Sequence, residues 1–118
     1  MLFRSHLGDL FDWALTLADG EWKWNSPELQ PWDKECSRFF DSLRKFDERL
    51  ASGRPVQMDP AKLFQGPVAD ALTHVGQLAM LRRLANFPMK GESYARADIE
   101  IGRAGFEQSP AQPKYEFD

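Results

Sequence analysis

Apolar residues recur at intervals of three and four along three separate stretches of this 118-residue chain, and no stretch alternates apolar with polar as a half-buried strand would. Three amphipathic helices are therefore what the chain has to pack. The first stripe, Phe3, Leu7, Leu10, Phe11, Ala14 and Leu17, predicts a helix over residues 4–18, ended by Asp19-Gly20 because glycine takes the left-handed dihedrals a helix terminus needs. The second stripe is Cys36, Phe39, Phe40, Leu43, Phe46 and Leu50. Its helix starts at Pro31 or Trp32, where proline suits the first turn, and runs to Ser52 before Gly53 stops it. The other side of that helix, Asp41, Arg44, Lys45, Asp47, Glu48 and Arg49, alternates in sign as a solvated face does.

The third stripe holds Val68, Ala71, Leu72, Val75, Leu78, Ala79, Leu81 and Leu84, with Gly66-Pro67 restarting the chain into a helix over residues 67–85. Arg82 and Arg83 suit its negative end, Asn86 its cap, and Pro88 confirms the stop. Before it, Asp59-Pro60 reads as an N-cap and a first-turn proline, giving a short helical turn over residues 61–64. Between the first two helices, Trp22, Trp24 and Trp32 fall in a proline-bearing stretch and are too large and apolar to leave in water, so they should pack back. After Pro88 a short helix over residues 93–99 is expected. Residues 100–118 then form an extended tail, held on the body by Phe106, Tyr115 and Phe117 or partly disordered. The fold class is all-α: three main helices in one bundle with a short C-terminal helix and a tail, in a single domain of residues 1–118.

Charge narrows the function. Fifteen basic against 18 acidic side chains leave a net charge of −3, which does not suit a nucleic-acid footprint. Acids interrupt the one basic set, Arg4, Arg38, Arg44, Lys45 and Arg49, so no nucleic-acid partner is expected. The single Cys36 cannot form an internal disulfide, and no apolar run is long enough to cross a bilayer. His6, Asp9 and Asp12 break any leader-like stretch at the start, so the expected place is the cytoplasm, with no membrane partner. Cys36 shares a helix with Phe39 and Phe40 and reads as buried filler rather than as a nucleophile. The common phosphate-loop, dinucleotide and hydrolase motifs do not occur.

Both histidines fall at the edges of apolar stripes, His6 between Phe3 and Leu10 and His74 between Ala71 and Leu78. Asp70 lies one helical turn before His74, so a carboxylate and an imidazole aim at one point. A carboxylate turned into an apolar core needs a positive partner, and a divalent cation would also explain the histidines. The plainer alternatives are a core histidine bonded to a backbone carbonyl and an exposed acid favouring the helix N-terminus.

The stretch Asp70-Ala71-Leu72-Thr73-His74-Val75-Gly76-Gln77-Leu78 resembles the H-x-x-x-H-R-G-Q-[LI] segment of the DinB/YfiT-like four-helix-bundle metalloproteins, and Ser5-His6-Leu7-Gly8-Asp9 is similar to the helix carrying that family's other histidine. The resemblance covers element order and spacing from about residue 4 to residue 86. It implies a metal site of His6, Asp70 and His74, with Asp70 where the family has histidine and Val75 where it often has arginine. Two histidines and one carboxylate still form a competent open site. The cofactor implied is one divalent metal ion, zinc ahead of nickel or iron. Gly76 matches the family's glycine, which would let a neighbouring helix come close. Gln77, Asp9 and Thr73 are candidates to orient the imidazoles, and Trp13 to wall the pocket, although capping, surface and core roles also suit them.

The implied function is a metal-dependent transferase or hydrolase, thiol-dependent in some family members, acting on a small-molecule substrate. Arg82 and Arg83 could then meet an anionic substrate at the rim. The family's first helix has no counterpart here, which should leave an apolar groove filled by a second protomer, by the tryptophan-rich loop or by the tail, unless the chain is truncated at its N-terminus. The competing expectation is a non-catalytic helical domain with a degenerate site, which dimerises or binds a partner helix.

Overall fold

The structure, a computed structural model, describes residues 3–117. The side chains of Phe3 and Arg4, two residues singled out above, lie outside what is described. Three long helical runs dominate: α1 Phe3–Ala18, α2 Trp32–Ala51, and a third run made of α3 Pro60–Leu63, a π-helical turn Phe64–Val68 and α4 Ala69–Leu84. The expected limits of the first two helices hold, and Gly20 and Gly53 end them with positive φ of 85° and 73°. Asn86 closes α4 in the same left-handed region, at φ 61°.

Gly66-Pro67 does not restart the chain. Asp59 caps α3 by accepting from Ala61 N at 3.0 Å, and the helix then runs on through the proline. Proline has no N–H, and its ring collides with the carbonyl four residues back, so the turn widens: Ala69 N donates to Phe64 O, five residues earlier. The widened turn keeps buried Leu63, Pro67, Ala71 and His74 on one side of a continuous rod.

α1 is the central rod, with α2 on one side and the third run on the other. Leu7, Leu10, Phe11, Ala14 and Leu17 are all buried, and Phe11 meets Phe39 and Phe46 of α2 at ring separations of 5.7 and 6.0 Å. Contacts pair Ser5 with Arg38, Asp12 with Ser42, and Ala18 with Arg49, so α1 and α2 run parallel. A parallel pair obliges residues 19–31 to travel back along the 16-residue helix, about 24 Å. That return carries Trp24 across α1 to His6. Trp22 and Trp32 remain largely exposed, and Trp32 belongs to the first turn of α2 rather than to the loop.

The α2 face expected to be solvated is not uniform. Arg49 is buried, bonded to Asp19 at 2.7 Å and to the carbonyls of Ala18, Arg54 and Pro55. Beyond α4 the expected helix over residues 93–99 is absent. Arg96 N and Ala97 N both bond to Ser93 O, but Ile99 N turns to Ala97 O, because one isolated turn cannot repay its nucleation cost. The tail is also less extended than expected. A two-residue antiparallel ladder joins β1 Gly91–Glu92 to β2 Glu116–Phe117, next to a 3-10 turn at Pro113–Tyr115, and Phe106 rests on Phe40 with ring centroids 4.1 Å apart. Among the described residues, no helix is long and apolar enough to cross a membrane.

Candidate metal site

Antiparallel packing of α4 on α1 brings His74 beside His6, with ring centroids 4.8 Å apart and planes nearly perpendicular. Asp70 sits between them. One carboxylate oxygen lies 3.2 Å from His74 Nε2 and the other 3.6 Å from His6 Nε2. Both imidazoles are buried, whereas the Asp70 side chain is 46% exposed, so the carboxylate is not turned into an apolar core as expected and the cluster opens to solvent on its side. Donor atoms from the three residues all lie within 4.8 Å of one another.

Those separations can be set against a cation. Tetrahedral ligands about 2.0–2.1 Å from zinc stand about 3.4 Å apart. The separations to Asp70 come close to this but run to its two different oxygens, and the three-donor set as a whole, within 4.8 Å, is wider than a closed zinc site.

Hydrogen bonding constrains the rings further. Gln77 Oε1 accepts from His74 Nδ1 at 2.8 Å, so in the neutral ring it is Nε2 that carries the lone pair and faces the carboxylate. Two electron-rich groups facing each other call for a cation or a proton between them. Among the described residues His6 makes no hydrogen bond at ordinary length: Nε2 is 3.6 Å from Asp70, and Nδ1 is a buried polar atom without a partner. Leaving such a group unsatisfied costs about 1–3 kcal/mol.

A second network fixes the turn of α1 that carries His6. Arg38 donates to Ser5 O at 2.7 Å, Asp9 Oδ1 at 2.7 Å, Asp12 Oδ2 at 2.8 Å and Glu35 Oε2 at 3.1 Å. Burial works against its charge, but the hydrogen bonds and charges of Asp9 and Glu35 outweigh this and hold the guanidinium above its usual pKa. The fit depends on Gly8, since a Cβ there would stand 2.8 Å from Arg38 Cζ. Arg38 therefore clamps the residues on either side of His6. Sequence reasoning placed it only in the basic set; the available signal was the polar stripe Ser5, Asp9, Asp12 on α1 matched by Glu35, Arg38, Ser42 on α2.

The other expectations divide. Gln77 does orient an imidazole. Asp9 does not, because its carboxylate is taken by Arg38, and Thr73 Oγ1 bonds Ala69 O on its own exposed face. Trp13 packs edge-on against Trp22 and Trp24, and Trp24 lies 5.6 Å from the His6 ring, so Trp13 supports the wall rather than forming it. Arg82 and Arg83 lie at the far end of α4, and Arg83 bonds Met89 O. Nothing stands within 4 Å of a Cβ placed on Gly76, so among the described residues no helix makes the close approach expected there. Cys36 is only partly buried; burial first, then Asp33 and Glu35, push its thiol above the usual range, which disfavours a nucleophile. Beside His6, Ser5, Asp9, Trp24, Ser26 and Leu29 help line a cleft of about 280 Å³. No family model, curated protein or solved structure matches the chain.

Proposed function

We propose that the chain is a metal-dependent enzyme of the DinB/YfiT-like type, holding one divalent cation through His6, Asp70 and His74 and acting on a small molecule. Zinc is the first choice of metal, then nickel or iron, and the reaction class is a thiol-dependent transfer or a hydrolysis. One observation carries the reading: two buried histidines from different helices, His6 and His74, both turn Nε2 toward the Asp70 carboxylate, at 3.6 and 3.2 Å. Such a cation, when bound, supplies Lewis acidity that brings a thiol or a water toward ionisation near neutral pH.

The chain's own groups do the rest. Gln77 keeps the His74 proton on Nδ1, so Nε2 is ready as a donor. Arg38 holds the α1 turn by the Ser5 carbonyl and Asp9, and Trp24 covers one flank of the His6 ring and limits water there. Three protein donors would leave further coordination positions for a substrate, and the half-exposed Asp70 carboxylate marks the side from which one would reach them.

A second reading is favoured by the apolar residues that α4 leaves in solvent. Leu72, Met80, Leu81 and Leu84 are exposed, Leu84 by 74%, and Phe87 beyond them by 70%. A run of exposed apolar side chains on one helix normally packs against something, which suits a module that pairs with a second copy or a partner helix. Metal analysis of protein purified without a histidine tag separates the two. About one equivalent of divalent metal per chain, lost in His74→Ala, supports the enzyme. No metal in either protein leaves the pairing module.

A further inference from the structure

One apolar cavity shares no residue with the metal site. It measures about 460 Å³ and opens where α2 and the π turn diverge across α1, with Phe11 as floor, Leu43, Phe46, Leu63 and Val68 among its walls, and Ala104 of the tail at one edge. That size falls within the range of small-molecule pockets, and carbon makes up almost all of its surface. An apolar space of this kind favours an apolar occupant over water.

One charged group lines it. Asp47 lines the cavity at its α2 edge, half-buried, and among the described residues its carboxylate has no hydrogen bond or ion pair. Among the described residues, no lysine or arginine shares the lining. We propose that this cavity binds a hydrophobic organic amine, with the hydrocarbon against Phe11, Phe46 and Leu63 and the ammonium beside Asp47.

The sign of the ligand's charge then sets affinity at constant chain length. An alkylammonium satisfies the lone carboxylate, a neutral alcohol gains only the apolar contact, and an alkanoate places like charges together. The rim is half open to water, so the effect is moderate.

Isothermal titration calorimetry on the full chain tests this with n-octylammonium, 1-octanol and octanoate. Octylammonium should bind once per chain, about tenfold more tightly than octanoate, with octanol between them. Asp47→Asn should bring the two charged probes within about twofold, and Asp47→Lys should reverse their order. Both substitutions lie on a half-exposed helix position, and circular dichroism reports whether the fold is kept. Absence of saturable octylammonium binding, octanoate binding equally well, or an unchanged preference in folded Asp47→Asn would overturn the proposal.

Discussion

Arg38 shows how one side chain couples stability to the site. It neutralises Asp9 and Glu35, both buried, and ties them to the carbonyl of Ser5, one residue before His6. Removing it leaves buried carboxylates without their cation. Arg38→Ala should therefore cost about 3 kcal/mol in chemical denaturation and also weaken divalent-metal affinity. Lysine cannot reproduce four divergent bonds, so Arg38→Lys should recover less than half of that loss. Cys36 gives a prediction with a defined sign. Its thiol sits above the usual range because of burial and then Asp33 and Glu35, so less of it is thiolate at any pH near 8 than of a free thiol. Iodoacetamide should modify Cys36 more slowly than free cysteine at pH 8, the gap closing as pH rises; equal rates at pH 8 would contradict that environment.

Residue-level legibility followed helical spacing. His6, Asp70, His74 and Gln77 were readable because each relation is a turn within one helix or a shared inward face. Arg38 was not, because its role depends on which helix pairs with α1 and in which direction, and periodicity carries neither.

At the level of elements, limits were legible wherever the signal was a left-handed stop, as at Gly20, Gly53 and Asn86. The Gly66-Pro67 pair misled because a proline inside a helix can be absorbed by a wider turn as well as by a break. The parallel course of α1 and α2 could not be read from either helix. It follows from residues 19–31 spanning the helix length, which is also why Trp24 meets His6. Gly76 supplies a test for α4. It is exposed in mid-helix with nothing near its Cβ position, so Gly76→Ala should raise stability by about 0.5–1 kcal/mol in thermal melts. A loss of stability, with a smaller sedimenting species, would instead place another helix against that glycine.

Across the whole molecule, α1 unites two kinds of contact. Its apolar stripe is buried in the core, and its polar stripe meets Arg38 and Ser42, so the helix is covered on several sides. That central position explains how a first-turn histidine becomes buried and faces α4. The same arrangement leaves α2 and the third run diverging, with a cavity between them and an apolar α4 beyond. An all-α class was readable from three stripes, whereas the spaces between the helices were not, since they depend on where the rods cross.

The most direct measurement is anomalous-difference diffraction at the zinc edge from crystals of the full chain grown with zinc. One peak bonded to Nε2 of His6, Nε2 of His74 and a carboxylate oxygen of Asp70, at about 2.0–2.2 Å, is the expected result. A map without a peak between α1 and α4 at full zinc, or with zinc held only by other residues, would contradict it.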